Sequence, residues 1–322
     1  MGQIESLIFL LGVAALLAQL ARVVKVPYPI FLVLGGLGLG FVPMLPAVEI
    51  PPEVIFVTFL PPLLNSAAFS SAPLDLRAHL RAITLLAVGL VFATTFPVAA
   101  VAHLLVGLSW TVAFVLGAIL LPTDPVAAEA IFRRLGVPER VGTVVGGESL
   151  INDGTGLVAF RVAVGVAAGT AAFSLPDAGL NLLLVGGGGG IVVGLLLAFA
   201  ILPLWDGLKD SSIQITFSVL IPYAVYILAE EVLHVSGILA VVAYGLTQGW
   251  RAPRLFADAS TRIQAQAFWG VLIFVLEAML FVLLGQQLPS SLGNLGEYTV
   301  PQLLLYAVLV YGAVLGRACF FL

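Results

Sequence analysis

Apolar runs follow one another along this chain, broken only by proline, glycine and short charged clusters. An α-helix needs about twenty apolar residues to cross the hydrocarbon core of a bilayer. Eleven runs of that kind are legible, at 5–21, 27–47, 54–70, 82–106, 111–132, 147–171, 180–204, 213–232, 236–250, 263–288 and 299–322. A globular domain is about half apolar; here 61% of residues are hydrophobic and only 9% are charged. The chain is therefore expected to be an all-α, multi-pass membrane protein. Glu5 stands where a signal peptide carries Lys or Arg, so the first run reads as a retained span.

Basic residues collect in cytoplasmic loops, and their positions test the count. Arg22 and Lys25 follow the first run, Arg77 and Arg81 the third, Arg133, Arg134 and Arg140 the fifth, Lys209 the seventh, and Arg251, Arg254 and Arg262 the ninth. None falls in an even-numbered loop, where Glu49, Glu53, Asp177 and Glu297 lie instead. This parity puts the amino terminus outside. Lys209 and Arg251 both belong inside, so the segment between them should hold two spans with a tight turn near His234 and Ser236. Arg161 and Arg317 remain within spans, where each needs a partner or water.

The fifth run, "TVAFVLGAILLPTDPVAAEAIFRR", has Pro122 and Pro125 near its middle. A proline inside a helix removes one donor and clashes with the carbonyl four residues back. The helix should stop there. Thr123 or Asp124 can cap a new start, and Pro125 suits the first helical position. Broken backbone at membrane depth is tolerated only when buried in protein or lining a cavity, and such half-helix ends serve ion sites in secondary transporters. A plain proline kink is the competing reading.

On the sixth run, Glu148, Asn152 and Thr155 recur at helical spacing beside Ser149, Asp153 and Gly156, making one polar face. Gly146, Gly147, Gly154 and Gly156 allow a second backbone to approach, and the broken fifth helix is the expected neighbour. Asp153 would then face carbonyl and hydroxyl oxygens, a donor set suited to a small alkali cation. Without a cation, burial favours the protonated acid. Cation and proton would compete for one carboxylate. Asn152 gives hydrogen bonds and no second exchangeable charge, so exchange should be electroneutral. Asp124 would stay ionised at the positive end of a half-helix. Glu148 is expected to pair with Arg317, although Arg317 snorkelling to the inner surface is an alternative.

Other features carry less. The run Gly186–Gly190 reads either as a hinge or as close packing. Glu230 and Glu231 should lie at the outer surface. Glu277, deep in the tenth run, is a candidate for contact with Arg161 or for a proton route. His103 should be interfacial, and Arg161 structural. His79, His103 and His234 lack ligand spacing, lone Cys319 excludes a disulfide frame, and nothing suggests nucleic acid or a cofactor.

The segments "PTDPVAAEAIFRRLGVPER" (122–140) and "GESLINDGTGLVAF" (147–160) resemble the paired signature of the Na⁺/H⁺ exchangers, in particular the bacterial and archaeal NhaP-type antiporters. The resemblance extends through "PYPIFLVLGGLGLG", "LPPLLNSAAFSS", "PYAVYILAEEVLHVSGILAVVAYGL" and "LFVLLGQQLP", nearly the whole chain. It implies a homodimeric elevator exchanger of the plasma membrane with an inverted repeat and thirteen spans, the fifth and twelfth broken and crossing near the site. One membrane domain, 1–322, would comprise a first repeat at about 1–172, a linking helix at about 180–204 and a partial second repeat at about 213–322. Two helices would follow Leu322, and the chain would need them. The resemblance assigns cation and proton binding to Asp153, the unwound segment to Thr123 and Asp124, a coordinating hydroxyl to Ser149, the mark of electroneutral members to Asn152, and an ion pair to Glu148 and Arg317. Many relatives carry an acid where this chain has Ser66, so Ser66 or Asn65 would offer neutral oxygens only. The implied substrates are H⁺ and Na⁺, with Li⁺ or K⁺ as alternatives.

Two rival readings come from other classes. Asp124 and Asp153 could form an intramembrane aspartyl protease dyad, but the "GxGD" pattern is absent, as is the "HExxH" of a zinc protease. A non-transporting sensor or channel on the same scaffold is the other. The expected answer is a transporter and not an enzyme.

Overall fold

A computed structural model describes residues 3–42, 51–71, 89, 93–120, 132, 136–168, 188–251, 258–293 and 300–319. Among them every regular element is helical. In chain order these are α1 (Gln3–Val24), α2 (Tyr28–Gly40), α3 (Pro52–Ser70), α4 (Ala93–Val106), α5 (Trp110–Ile119), α6 (Glu139–Ala167), α7 (Gly190–Ala200), α8 (Leu202–Gly207), α9 (Ser211–Val232), α10 (Gly237–Gly249), α11 (Ala259–Gly293) and α12 (Val300–Cys319). Glu5–Val24, Ser211–Val232 and Ala259–Ser290 are long and apolar enough to cross a membrane by length and composition, and shorter apolar helices accompany them. The chain divides into two compact units, Met1–Leu63 with Phe256–Thr299 and Leu64–Leu255 with Val300–Leu322.

In the first unit α2 lies along α11 with almost no space between the backbones. A Cβ on Gly36 would come within 2.3 Å of the Val282 carbonyl oxygen, and one on Gly285 within 2.2 Å of that of Val33. Glycine is required at both points. Gly40 meets Gln286 and Pro289 further along, so the two helices run parallel. Around this seam Leu10, Ala14, Leu32, Phe59, Leu276, Ala278, Val282 and Leu283 form the buried core. At the turn from α1 to α2, Lys25 takes a left-handed φ of 59° and Pro27 precedes the first helical residue.

In the second unit α10 is the central helix, buried at every residue from Gly237 to Gly245. Two neighbours press on it through glycines. Gly190 and Gly194 of α7 sit against the carbonyl oxygens of Ser236 and Ala240, where a Cβ would come within 2.4 and 2.1 Å. From the other side, the end of α3 brings Asn65 and Ala68 to Gly245 and Phe69 to Gly249. The sequence of contacts makes α7, α10 and this end of α3 parallel. The Gln248 amide donates to the Ala198 carbonyl at 3.2 Å, tying α10 to α7. For Gly190, close packing is the reading the geometry supports. Gly186 and Gly187 lie outside the described residues.

Several boundaries differ from the sequence expectation, for local reasons. The sixth helix starts at Glu139, well before 147, because Pro138 provides a start and the glycines that follow do not interrupt it. The described part of the seventh run ends in two helices, α7 and α8, separated at Ile201 ahead of Pro203. The tenth run extends over 35 residues as α11. The turn between α9 and α10 falls at the expected place: α9 closes in a π-turn over Leu228–Val232, His234 takes a left-handed φ of 52°, and Ser236 caps α10 through Leu239 N–H at 3.3 Å.

Candidate cation-binding site

The fifth helix ends early. Ser109 starts α5 by accepting from Val112 N–H, and the helix runs only to Ile119, with Leu120 as C-cap donating to the Leu116 carbonyl at 3.2 Å. Its last residue is three before Pro122, where the expected loss of a donor falls. The expected restart lies outside the described residues, and with it Thr123 and Asp124.

The continuous α6 packs against α5, the expected neighbour, and also touches α10, but Gly146 is not at the contact: nothing among the described residues lies within 4 Å of a Cβ placed on it. Glu148, Ser149 and Asn152 are buried, at 8%, 1% and 0% exposure, although all three are polar. Water reaches none of them freely, so each must be satisfied by protein groups. The Asn152 amide donates to Glu148 Oε1 at 3.4 Å, one turn back, and the Thr155 hydroxyl donates to the Asn152 carbonyl at 3.2 Å. Asp153 belongs to the same helix, one turn after Ser149. Its side chain, like those of Arg161 and Arg317, lies outside the described residues, so the Glu148–Arg317 pair does too.

Ser66 is half-buried, and its backbone carbonyl accepts from Ser70 Oγ at 2.8 Å. Its neighbour Asn65 is buried at 6% exposure, with Oδ1 beside Gly245 and no hydrogen-bond donor for that atom among the described residues. Of the neutral oxygens weighed at this point on α3, the Asn65 amide is the more enclosed. Sequence reasoning missed Thr94 and Thr95 on α4. Thr94 is fully buried, and the Thr95 carbonyl lies where a Cβ on Gly117 would meet it at 2.7 Å, in the last turns of α5. A pair of threonines in an otherwise apolar run was the available signal.

Outlying acids and His103 have specific local partners. Glu230 Oε2 accepts from Gly237 N–H at 2.9 Å, holding the start of α10 where the helix dipole favours negative charge. Glu231 is exposed. His103, in the π-turn ending α4, has Nδ1 2.7 Å from the Leu108 carbonyl and its ring stacked on Trp110 at 4.2 Å. Glu277 accepts a hydrogen bond from the Tyr28 hydroxyl.

Comparison with known proteins adds the decisive fact. The family model described as sodium/hydrogen exchanger, transmembrane, matches residues 9–320. This chain belongs to the sodium/hydrogen exchanger family. Among family relatives, an uncharacterised Na⁺/H⁺ exchanger of Mycobacterium tuberculosis is 34% identical over 97% of this chain and 58% of its own length. A sodium, potassium, lithium and rubidium/H⁺ antiporter of Bacillus pumilus is 38% identical over 82% of this chain and 40% of its own. The Na⁺/H⁺ antiporter ApNhaP of Aphanothece halophytica is 34% identical over 88% and 55%. The exchanger chain described here thus spans about half the length of the curated relatives it matches. Its fold resembles that of the sodium proton antiporter MjNhaP1 of Methanocaldococcus jannaschii, with a TM-score of 0.72 and 24% identity over 88% of this chain and 70% of that one. An exchanger family is one of integral membrane transporters, which leaves the protease reading without support.

Proposed function

We propose that this protein exchanges a monovalent cation for H⁺ across the membrane, electroneutrally, by competition of the two ions for Asp153 during alternating access. One observation carries the reading: α5 ends at Ile119 and packs on α6, on which the polar residues Glu148, Ser149 and Asn152 are all buried. Buried polar groups are costly in lipid and mark ion pathways. Asp153 lies on that helix. Family membership supports exchange as the activity, and the ions for which the relatives are named support Na⁺ first, with K⁺ and Li⁺ as alternatives.

In this mechanism the carboxylate of Asp153 holds the cation, Ser149, Thr123 and the carbonyls freed at the break supply neutral oxygens, and Asp124 caps the restarting half-helix. Ser66 on α3 is retained as a neutral contributor, with Asn65 beside it. Asn152 orients Glu148, and Glu148 pairs with Arg317 to hold the last helix to the site. We place the protein in the plasma membrane with its amino terminus outside, as a homodimer.

The test is reconstitution of the full-length protein in proteoliposomes. A Na⁺ pulse should discharge an imposed pH gradient, and Asp153→Asn should abolish the response while the protein still folds. Wild-type rates in Asp153→Asn would end the proposal.

A further inference from the structure

The first unit contains an acid to which the proposed exchange cycle assigns no step. Glu277 lies near the middle of α11, about 27 Å along the helix from Ala259 at 1.5 Å per residue. It is partly buried among apolar neighbours, with Leu276 and Ala278 in the core on either side. The Tyr28 hydroxyl donates to its Oε2. One turn earlier, Phe274 meets the Tyr28 ring at 6.3 Å, tilted by 51°. Tyr28 is the first residue of α2, and Pro27 before it fixes the backbone at the helix entry.

We infer that Tyr28 and Glu277 form a clamp that fixes the register of α2 on α11, and that Glu277 is a structural acid outside the ion pathway. The glycine seam explains why a clamp is needed. Gly36, Gly40 and Gly285 bring the backbones together, but contact between small residues sets separation better than it sets axial position. In lipid no hydrophobic force drives one helix onto another, so packing and interhelical hydrogen bonds carry specificity. A carboxyl in apolar surroundings is stabilised by each donor it keeps, and a register shift by one turn would take the Tyr28 hydroxyl out of its reach. Phe274 and Glu277, one turn apart on α11, grip the ring and the hydroxyl of the same tyrosine. The pair gives Glu277 a partner at the start of α2, level with the turn that follows Lys25, whereas the expected contact with Arg161 lies outside the described residues.

The experiment is a double-mutant cycle on the full-length protein, read by thermal unfolding in detergent and by exchange in proteoliposomes. Tyr28→Phe should lower the melting temperature of the wild-type protein, and should lower it less in the background of Glu277→Ala, which has no acceptor for the hydroxyl. Exchange in Glu277→Gln should keep its cation half-saturation within about twofold of wild type, the mark of a residue outside the binding step. Additive losses in the cycle would overturn the clamp. A half-saturation or pH profile displaced about tenfold in a normally melting Glu277→Gln would place the acid in the pathway instead. Should Glu277→Gln fail to fold, Tyr28→Phe decides alone: unchanged exchange with a lower melting temperature upholds the clamp, and unchanged melting overturns it. The melting readout does not depend on exchange, so its failure is distinct from failure of the exchange reading.

Discussion

Asn152 shows how one neutral side chain can matter in a buried polar face. Its amide is the group within α6 that donates to Glu148 Oε1, at 3.4 Å, and neither residue reaches water freely. Removing the donor while keeping the volume separates hydrogen bonding from packing. Asn152→Leu should lower stability by about 1.5–3 kcal/mol, the usual contribution of one hydrogen bond to a charged group. Thermal unfolding of the purified variant measures it, and an unchanged melting temperature would mean that Glu148 does not rely on this amide. The residue types at 148, 149 and 152 were legible because polar side chains at helical spacing stand out in an apolar chain. The bond between the first and third was not, since spacing alone does not say whether Asn152 turns along its own helix or across to another.

Glycines decide contacts at the scale of elements. Gly194 lies under the Ala240 carbonyl, where a Cβ would approach to 2.1 Å, whereas nothing lies within 4 Å of a Cβ placed on Gly12 of α1. Gly194→Val should push α7 off the buried α10 and cost on the order of 1–3 kcal/mol or more, as overpacking does. Gly12→Ala should be neutral or stabilising, by up to about 1 kcal/mol, because alanine is the better helix former. The two melting temperatures, measured side by side, check the packing reading; equal shifts would sink it. The sequence could not make this distinction, because a glycine in an apolar run looks the same whether it faces a backbone or open space. Punctuation was easier to read. Pro122 announced the end of α5 and His234–Ser236 the turn before α10, because proline, left-handed residues and hydroxyl caps act locally. The start of α11 at Ala259, preceded by Asp258, lies ahead of the apolar run that begins at 263, because a helix can begin at a polar cap before its apolar part.

For the molecule as a whole, charge placement and helix direction agree. The second and tenth runs pack parallel as α2 and α11, as do the seventh and ninth as α7 and α10, and the third and ninth as α3 and α10. Each pair has the same parity in the count based on basic loops, so each should cross in the same sense. This agreement could not be arranged by local sequence, since Tyr28 and Glu277 meet across 249 residues. On that topology, the proposed exchange moves one positive charge in each direction per cycle. A membrane potential acts on net charge with about 2.3 kcal/mol per elementary charge per 100 mV, and equal opposite transfers cancel it. Setting the potential with K⁺ and valinomycin should therefore leave the Na⁺ gradient at which proton flux reverses unchanged, in conditions where K⁺ itself is not transported. The same competition requires that lowering pH weaken apparent cation affinity, approaching about tenfold per pH unit where the proton dominates the site, because two ligands that exclude each other do so reciprocally. A reversal point that moves with the potential would require a second charge in the cycle, and affinity independent of pH would require separate sites for the two ions.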